Sequence, residues 1–561
     1  MCENLIDITK LSYRYPTRDA PSVVEVDLSV RAGELVLLSG PTGCGKSTLL
    51  HTMNGIIPHD AGGELSGSVT VLGRETRDAD LVWLSSRVGL VFQSPEDQLF
   101  NSRLEDEVAF GLENLRLERD LIVERVRWAL AEVGLSDRVD TPVGQLSGGQ
   151  KQRLAVASVM AMQPKVLLLD EPLSQLDSSG AEQVLEVIGR LRSDLDIAIV
   201  LVEHRMHTVA HLADRIVLMD AGRIVLDVPR EDAFDDTTPY ETLGLRLPEP
   251  VELMRKLGRP ERPLTADDAV KALRDTPLTI LSPEPAASAA GDRGEAMIDL
   301  RRLRVRYGRR GDDVLRDVDL EVFPGDVVAV LGANGSGKST LLYTLLGSLR
   351  PASGAGTVLG EDVASRRRLS ASAGMLFQNP ELMLLADSVS EEVAAGPMNQ
   401  GLDEDEALAR AAEVMSALGV AELADEPPLA LSRGQRLRVA LASVLSMKPR
   451  LLLLDEPTTG QDRDQIESMM AHLVDTLAAR ALVFCTHDVT TVARYATAVI
   501  VLAEGRVLAS GTPAEVFADA EALHAAGLRP PVATDIARGL GLPPVASVDA
   551  LARCLAREER S

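Results

Sequence analysis

Cysteine is scarce in this 561-residue chain, and its few copies are scattered. They form no CxxC pair and no cluster with histidine, which argues against a zinc site, an iron–sulfur site or a disulfide framework. One of them lies inside a glycine-rich loop, which fits a reducing compartment. The four positions are Cys2, Cys44, Cys485 and Cys554.

Long apolar runs are also missing. The longest, at 197–202 and 451–454, have the length of a strand, and a bilayer-spanning helix needs roughly 18 residues or more. The first residues are polar and acidic, unlike a signal peptide. We therefore expect a cytoplasmic chain whose membrane role, if it has one, comes through partners.

Positive charge is in deficit. Lys and Arg number 58 against 84 Asp and Glu, a net charge of −26. Nucleic acids and anionic membranes are bound largely by Lys and Arg that neutralise phosphates, so the charge argues against both. The hydrophobic content of 45% is ordinary for globular protein, and the length allows two to four domains.

A phosphate-binding loop occurs twice, at 40–47 and 332–339, where both segments fit G-x-x-x-x-G-K-[ST]. Each follows a short apolar strand and opens a helix. In that context backbone N–H groups cradle the phosphates, the lysine reaches the β/γ oxygens and the serine binds Mg²⁺. The predicted ATP-binding residues of these loops are Gly40, Pro41, Thr42, Gly43, Cys44, Gly45, Lys46, Ser47 and Thr48, and Gly332, Ala333, Asn334, Gly335, Ser336, Gly337, Lys338, Ser339 and Thr340.

Two apolar strands end in paired carboxylates, Asp170-Glu171 and Asp455-Glu456. We expect each aspartate to hold Mg²⁺ and each glutamate to orient or deprotonate the attacking water. The spacing to a preceding Leu-Ser motif is 24 residues in both copies. That fixed spacing favours catalysis over a simple strand end.

The repeat extends beyond the ATPase core, because Gly244-Leu245 and Gly527-Leu528 begin matching Gly-Leu-x-x-Pro segments. Loss of periodicity in a Pro/Ala-rich stretch marks the linker. The predicted organisation is an ATPase domain at 1–235, its C-terminal extension at 236–275, a linker at 276–295, a second ATPase domain at 296–520 and its extension at 521–561.

Two motifs that precede helices, 146–150 and 431–435, resemble the signature of the ATP-binding cassette (ABC) family, and the resemblance covers essentially the whole chain. A serine at a helix N-terminus suits an approaching γ-phosphate. The resemblance implies an α/β fold with two P-loop NTPase domains of the ABC type in tandem, each with a helical signature subdomain and a small C-terminal extension. The signature residues are Ser147, Gly149, Gln150, Ser432, Gly434 and Gln435.

The resemblance also implies that the two cassettes form an intrachain pseudo-dimer, facing each other head to tail. Lys46 would then share an ATP site with Ser432, and Lys338 with Ser147. Both sites keep their catalytic residues, so both are expected to hydrolyse ATP. Arg433 replaces the first signature glycine, which predicts different behaviour at the Lys46 site; a solvated arginine at a tolerant position is the alternative.

Further roles carry over by resemblance. Gln93 and Gln378 resemble the glutamine loop, which contacts Mg²⁺ and faces the transmembrane partner. His204 and His487 resemble the switch histidine that contacts the γ-phosphate. Asp177 and Asp462 resemble the aspartate that crosses the cassette interface. Tyr15 and Tyr307 are candidates to stack on adenine, with a core tyrosine as the alternative.

Residues 92–100 are similar to the glutamine-loop extension of the ATPases of energy-coupling factor (ECF) importers, in which a Pro-acidic-x-Gln run follows the glutamine. The second copy departs from it, with Met383 where Gln98 stands. The duplicated C-terminal extension resembles that family too. This resemblance implies a transmembrane scaffold of the T type, a small membrane protein that captures a vitamin or metal ion, and a place at the cytoplasmic face of the membrane. The candidates for the docking surface are Leu99, Phe100, Leu384 and Leu385, with a place in the core as the alternative for about half of them.

Two alternatives stay open. A soluble two-cassette factor would act on ribosomes or DNA, but such proteins usually add a basic linker or zinc ligands. A fused ATPase of a sugar importer typically has one degraded cassette, whereas both copies look intact here. The expected cofactors are ATP and Mg²⁺ in every case.

Overall fold

The computed structural model describes residues 4–174, 176, 178–195, 197–204, 206–274, 294–308, 311–364, 372–458, 463–475 and 480–555. The chain divides into two compact units, Met1–Asp268 and Ala269–Ser561. Most of the predicted linker, together with Asp177 and Asp462, lies outside the described residues. The two units repeat one order of elements.

The first unit combines a small antiparallel sheet, ordered β2-β1-β4-β5, with a six-stranded sheet ordered β10-β9-β3-β8-β7-β6. Its strands are β1 (Asn4–Arg14), β2 (Val23–Arg31), β3 (Leu35–Ser39), β4 (Glu64–Val71), β5 (Arg74–Glu75), β6 (Val88–Val91), β7 (Val166–Asp170), β8 (Ala198–Val202), β9 (Arg215–Asp220) and β10 (Arg223–Pro229).

The helices connect these strands and follow the last of them. They are α1 (Lys46–Met53), α2 (Ile56–His59), α3 (Leu81–Ser85), α4 (Leu104–Asn114), α5 (Arg119–Glu132), α6 (Gly148–Met160), α7 (Ser178–Leu195), α8 (Met206–Val209), α9 (Thr238–Thr242), α10 (Glu249–Lys256) and α11 (Ala266–Arg274). The boundary between the two compact units falls within α11.

In the second unit the strand orders are β12-β11-β14-β15 and β16-β17-β18-β13-β19-β20. Its strands are β11 (Ile298–Arg306), β12 (Asp313–Val322), β13 (Val327–Leu331), β14 (Ser353–Val358), β15 (Glu361–Asp362), β16 (Ala373–Leu376), β17 (Leu451–Asp455), β18 (Ala481–Thr486), β19 (Ala498–Ala503) and β20 (Arg506–Gly511). Its helices are α12 (Lys338–Leu346), α13 (Val389–Asn399), α14 (Glu404–Ala417), α15 (Arg433–Leu445), α16 (Arg463–Asp475), α17 (Val489–Tyr495), α18 (Pro513–Ala518), α19 (Ala520–Ala525), α20 (Val532–Gly539) and α21 (Val548–Cys554).

The central strands of each large sheet are parallel and fully buried. Every residue of β3, β7 and β8, and of β13, β17 and β18, is buried, because helices cover both faces of such a sheet. This explains why the strands read as unbroken apolar runs. The phosphate loops follow β3 and β13, and the carboxylate pairs end β7 and β17, so both motifs lie at the carboxyl edge of one sheet, where ligands of such sheets bind.

Helices α4, α5 and α6 pack on one another as a separate group, and α13, α14 and α15 do the same in the second unit. These are the predicted helical signature subdomains, since α6 and α15 begin at the two signature motifs. The extensions are helical as well, formed by α9 to α11 and by α19 to α21. Among the described residues no helix has the length and apolarity to cross a membrane.

Candidate ATP-binding and hydrolysis sites

Both phosphate loops fold around their own lysine. Lys46 Nζ donates to the carbonyls of Gly40 and Pro41, at 2.8 and 2.9 Å. Lys338 Nζ repeats this with Gly332 and Ala333, at 2.8 and 3.1 Å. Both side chains are buried. The ammonium groups are therefore held at the centre of the loops, where a polyphosphate would add its negative charge.

The first turns of α1 and α12 are open to an anion. Each helix has a glycine at its N-cap, Gly45 or Gly337, in a left-handed conformation and without a capping side chain. The first N–H groups of the helix therefore have no side-chain acceptor at the cap, which leaves them available to phosphate oxygens. This geometry fits the triphosphate of ATP.

In the second copy the surroundings of Asp455 show whether the residues present fit a Mg²⁺ ion. Both carboxylate oxygens of Asp455 are buried and make no hydrogen bond of normal geometry with the described residues. The nearby Ser339 hydroxyl only partly opposes the rise in the pKa of Asp455 that burial causes. Buried oxygens without partners are costly, and oxygen ligands suit Mg²⁺. Ser339 with Asp455, and Ser47 with Asp170 in the first copy, therefore fit this ion.

Each candidate base is held by its histidine. His204 Nε2 lies 2.6 Å from Glu171 Oε1, and His487 Nδ1 lies 3.0 Å from Glu456 Oε2. The first glutamate also accepts a 2.7 Å hydrogen bond from Gln93 Nε2. These contacts bring together residues that are far apart in the sequence. Gln93 and the matching glutamine of the second copy, at position 378, are both exposed.

Within each pair, the pKa of the aspartate is raised and the pKa of the glutamate is lowered. Burial raises the pKa of Asp170 and Asp455. Burial acts the same way on Glu171 and Glu456, but the hydrogen bond and charge of the histidine, with the charge of the loop lysine, outweigh it and lower the pKa of both glutamates. The glutamates thus carry their negative charge at neutral pH, as a general base requires.

The backbone at these glutamates is strained. Glu171 and Glu456 have φ of 45° and 52°, in the left-handed region that costs non-glycine residues free energy. Their N–H groups donate to the carbonyls of Val202 and Cys485, both at 3.0 Å. The neighbouring strand therefore fixes the turn that aims each carboxylate at its histidine.

The candidate adenine tyrosines lie beside the phosphate loops. Tyr15 OH is 3.3 Å from Thr48 Oγ1, and Tyr307 OH is 3.1 Å from Thr340 Oγ1. Tyr307 is 51% exposed and Tyr15 is half-buried, whereas Tyr13 is the tyrosine in the core. Both rings are thus accessible at the entrance to their loops.

The signature serines cap their helices. Ser147 Oγ accepts from Gln150 N at 3.3 Å, and the glutamine side chain accepts from the serine N–H at 3.0 Å. Ser432 and Gln435 form the same reciprocal pair. This capping box leaves both serines exposed. Arg433 occupies the first helical position after Ser432 and is exposed too.

The glutamine-loop extension is fastened differently in the two copies. Gln98 Oε1 accepts from Phe92 N at 3.1 Å while its Nε2 donates to Leu90 O at 3.4 Å. The sulfur of Met383 accepts from Phe377 N at 3.5 Å, and its side chain packs against the hydrophobic core of the second unit. A thioether is a weak acceptor and cannot donate. The hydrogen bonding that links the second loop to its sheet is therefore weaker.

Replacing Met383 with glutamine is expected to strengthen this link, because it supplies the bonds that Gln98 makes. One neutral hydrogen bond contributes about 0.5–1.5 kcal/mol, so amide exchange at Phe377 should slow by about two- to tenfold. Hydrogen–deuterium exchange of the peptide that covers 377–383 measures it. The reciprocal variant Gln98→Met should speed exchange at Phe92; unchanged exchange in both variants would refute the role of this link.

Of the four candidates for the docking surface, two are exposed and two are buried or half-buried. Phe100 and Leu385 are 64% and 88% exposed, but Leu384 is buried at 3% and Leu99 is half-buried against the core. The expectation for Leu384 is therefore wrong, since its side chain belongs to the core of the second unit. Sequence alone missed Leu382, which is 74% exposed.

The sequence analysis also missed three buried glutamates whose carboxylates accept hydrogen bonds from loop N–H groups. Glu107 accepts from Phe100 N and Asn101 N, at 3.2 and 2.8 Å, and Glu392 binds the matching loop of the second copy. Glu203, next to His204 in the sequence, accepts from Leu173 N at 2.9 Å. Glu107 and Glu392 stand at otherwise apolar positions of α4 and α13. This pattern could have identified them from the sequence.

Comparison with known proteins assigns both repeats to one family. The ABC transporter family model matches residues 23–174 and 315–459. A protein of Methanosarcina acetivorans, provisionally named ABC transporter ATP-binding protein, is 43% identical over 99% of this chain and 91% of its own length. A Methanosarcina mazei protein with the same provisional name is 44% identical over 96% of this chain and 94% of its own length.

Among solved structures, cbiO1 from Clostridium perfringens, described as part of the ABC transporter complex cbiONQ, is 36% identical. The match covers 41% of this chain and 94% of that chain, with a TM-score of 0.38. The family match falls on both repeats, and the relatives match nearly end to end. The chain therefore belongs to the ABC transporter family, as an ATP-binding protein with two cassettes and ATPase activity.

Proposed function

We propose that this chain energises an ECF-type importer of a vitamin or metal ion, through two composite ATP sites between its fused cassettes. The observation that carries the proposal is the extension after Gln93. There the run from Pro95 forms a short turn, Gln98 fastens it to the sheet, and Phe100 is left exposed. The duplicated helical extensions add support, because they follow each cassette at the same place.

In the proposed mechanism each residue has one task. Lys46 and Lys338 neutralise the β/γ-phosphate oxygens, and the N–H groups of α1 and α12 bind the others. Asp170 with Ser47 would hold Mg²⁺ in one cassette, and the matching pair, Asp455 with Ser339, would hold it in the other. The ion, when bound, would supply positive charge against the phosphate oxygens.

The ionised carboxylates of Glu171 and Glu456 accept the proton of the attacking water. The switch histidines hold those carboxylates in place and contact the γ-phosphate. The exposed signature serines, Ser147 and Ser432, complete the opposite site. Loss of the γ-phosphate removes these contacts, and the resulting movement of the cassettes drives the transmembrane partner.

The proposed partners are a transmembrane scaffold of the T type and a small substrate-binding membrane protein, which would keep the chain at the cytoplasmic face of the membrane. Substrate recognition then belongs to another polypeptide. No role in nucleic-acid binding is proposed, because the net charge of −26 opposes phosphate binding.

Isolation of the tagged full-length chain from its own cells tests the proposal. We expect recovery in the membrane fraction with the scaffold and the small membrane protein, and ATP-dependent uptake of the vitamin or metal ion by vesicles that contain the complex. As a control, the Lys46→Ala/Lys338→Ala variant should assemble but should not drive uptake. Recovery only with ribosomes or DNA would refute the proposal in favour of a soluble factor, and uptake of sugars would favour the sugar-importer alternative.

A further inference from the structure

A buried acidic residue follows strand β8 in the first unit, directly before His204. Glu203 is 2% exposed, and its own N–H donates to Leu38 O at 3.3 Å, which continues the pairing of β8 with β3. The residue therefore lies at the carboxyl edge of the large sheet, where ligands of such sheets bind. Burial of a carboxylate is costly unless hydrogen bonds compensate it, so the partner of Glu203 indicates what the residue does.

Glu203 holds the segment that follows the candidate base. Its Oε1 accepts from Leu173 N at 2.9 Å, while Glu171 N donates to Val202 O at 3.0 Å. These two bonds fasten the start of the segment to the end of β8. A third link between the same two stretches is the contact of His204 with the Glu171 carboxylate.

The same segment continues to the signature helix. Ser174 N donates to Glu171 O at 3.1 Å. Leu176 N donates to Leu173 O at 3.2 Å, so two successive turns run from the base to Leu176. A Cβ built on Gly149 of α6 would lie 3.8 Å from Leu176 Cδ2. Because protein interiors are close-packed, a shift of Leu173 would displace the base at one end of the segment and press on the signature helix at the other.

The second unit makes the corresponding link without a carboxylate. Thr486 stands where the first unit has Glu203, and its hydroxyl lies 3.3 Å from that of Thr458, the counterpart of Leu173. A hydrogen bond between neutral groups is about half as strong as one to an ionised acceptor. The buried carboxylate is thus a feature of the first unit and not a requirement of the fold.

A similar exchange of an acid for a threonine occurs at the opposite edge of the sheet. Asp214 Oδ2 accepts from Leu35 N at 2.9 Å, and in the second unit Thr497 Oγ1 accepts from Val327 N at 2.9 Å. Leu35 and Val327 begin β3 and β13, whereas the phosphate loops follow the ends of these strands. Asp214 therefore provides a control in which the same kind of bond is altered away from the ATP site.

We propose that Glu203 is a positioning residue for ATP hydrolysis in the first unit. By accepting the N–H of Leu173 it holds the segment 171–176 at the end of β8, and it thereby keeps the carboxylate of Glu171 aligned with His204. Such alignment acts on the rate of the chemical step more than on ATP affinity, because the phosphate loop and Tyr15 lie on other elements. The role of Glu203 rests on the proposed function of Glu171, which accepts the proton of the attacking water.

Steady-state phosphate release by the purified full-length chain, measured over a range of ATP concentrations, tests this role. The variant Glu203→Thr introduces the residue of the second unit, but Leu173 offers it no hydroxyl, so the link is lost. We expect kcat to fall by about two- to 10²-fold, according to whether the second site turns over independently, because a misplaced catalytic group is costly. KM for ATP should stay within about twofold of the original value, since uniform binding is untouched.

The conservative variant Glu203→Gln separates positioning from charge. Its amide oxygen can still accept from Leu173 N, so kcat should stay within about threefold of the original chain. Hydrogen–deuterium exchange of the peptide that covers 171–176 reports the bond itself. Exchange at Leu173 should become about tenfold faster in Glu203→Thr, as expected for loss of a hydrogen bond to a charged acceptor, and should change less in Glu203→Gln. The control Asp214→Thr should keep the original kcat.

Three results would overturn the proposal: an unchanged kcat in Glu203→Thr, an equal loss in Glu203→Gln, or an equal loss in Asp214→Thr. If the threonine variant does not fold, Glu203→Met takes its place, because it keeps the length of the side chain but accepts only weakly. Failure of the ECF-type function would be distinct, since it concerns membrane partners that this assay does not contain. Failure of the assigned base would appear separately, as undiminished hydrolysis by Glu171→Gln.

Discussion

Replacing Glu456 with glutamine is expected to lower ATP hydrolysis by about 10²- to 10⁴-fold at its site, the usual contribution of a positioned general base. The amide keeps the size of the side chain but cannot accept the proton of water. It also removes the anionic neighbour of Lys338, which lies 3.6 Å from Glu456 Oε1. The loss therefore combines the missing base with a changed charge around the phosphate loop.

The matched variant Glu171→Gln should lose less. Glu171 is shared between His204 and Gln93, and its side chain is more exposed, at 16% against 6% for Glu456. Steady-state phosphate release by each single variant and by the double variant measures the difference. The exposed Arg433 beside one signature serine is expected to be a second source of asymmetry. Equal losses in the two single variants would mean that the sites are functionally equivalent.

The variant Gly332→Ala is expected to destabilise the second unit by about 3 kcal/mol, near the upper end of the usual cost of overpacking. A Cβ at this position would lie 2.3 Å from Leu502 O and 2.5 Å from Ser336 Oγ. The carbonyl belongs to the backbone of β19, which neighbours β13 in the sheet, so it cannot move aside alone. Displacement of the loop would also weaken ATP binding.

Gly335→Ala provides the control within the same loop. Its φ is +82°, but a Cβ there meets nothing within 4 Å, so only the conformational cost of about 1–2 kcal/mol applies. Urea titration followed by hydrogen–deuterium exchange of β13 measures both variants. A cost for Gly332→Ala no larger than that for Gly335→Ala would show that the loop moves away from β19 freely.

The sequence was sufficient for the fold and for the parts of each site that follow buried strands. The apolar runs before Lys46 and Asp170 predict their positions, because parallel strands end at one edge of a sheet. The contact between Glu171 and His204 was not predictable in this way. It depends on a left-handed turn and on a hydrogen bond to the next strand, and no local pattern encodes either.

The sequence was least able to predict which side chains of irregular segments are exposed to solvent. Leu384 and Leu385 are adjacent and chemically identical, yet one is buried and the other is almost fully exposed. Glu392 contributes to this difference, because its carboxylate accepts from the N–H groups of Leu385 and Ala386 and fixes the path of the loop. This partner lies on α13 rather than in the loop itself, so the side of the loop that faces solvent becomes visible only in three dimensions.

The unequal hydrogen bonding of the two glutamine loops bears on how such a chain can evolve. An ATPase assembled from two copies of one polypeptide presents every surface twice, so a substitution that favours one docking segment is imposed on the other as well. Here Gln98 and Met383 are encoded separately. Joining the copies in one gene lets selection act on each loop independently while the paired ATPase machinery is inherited as a unit.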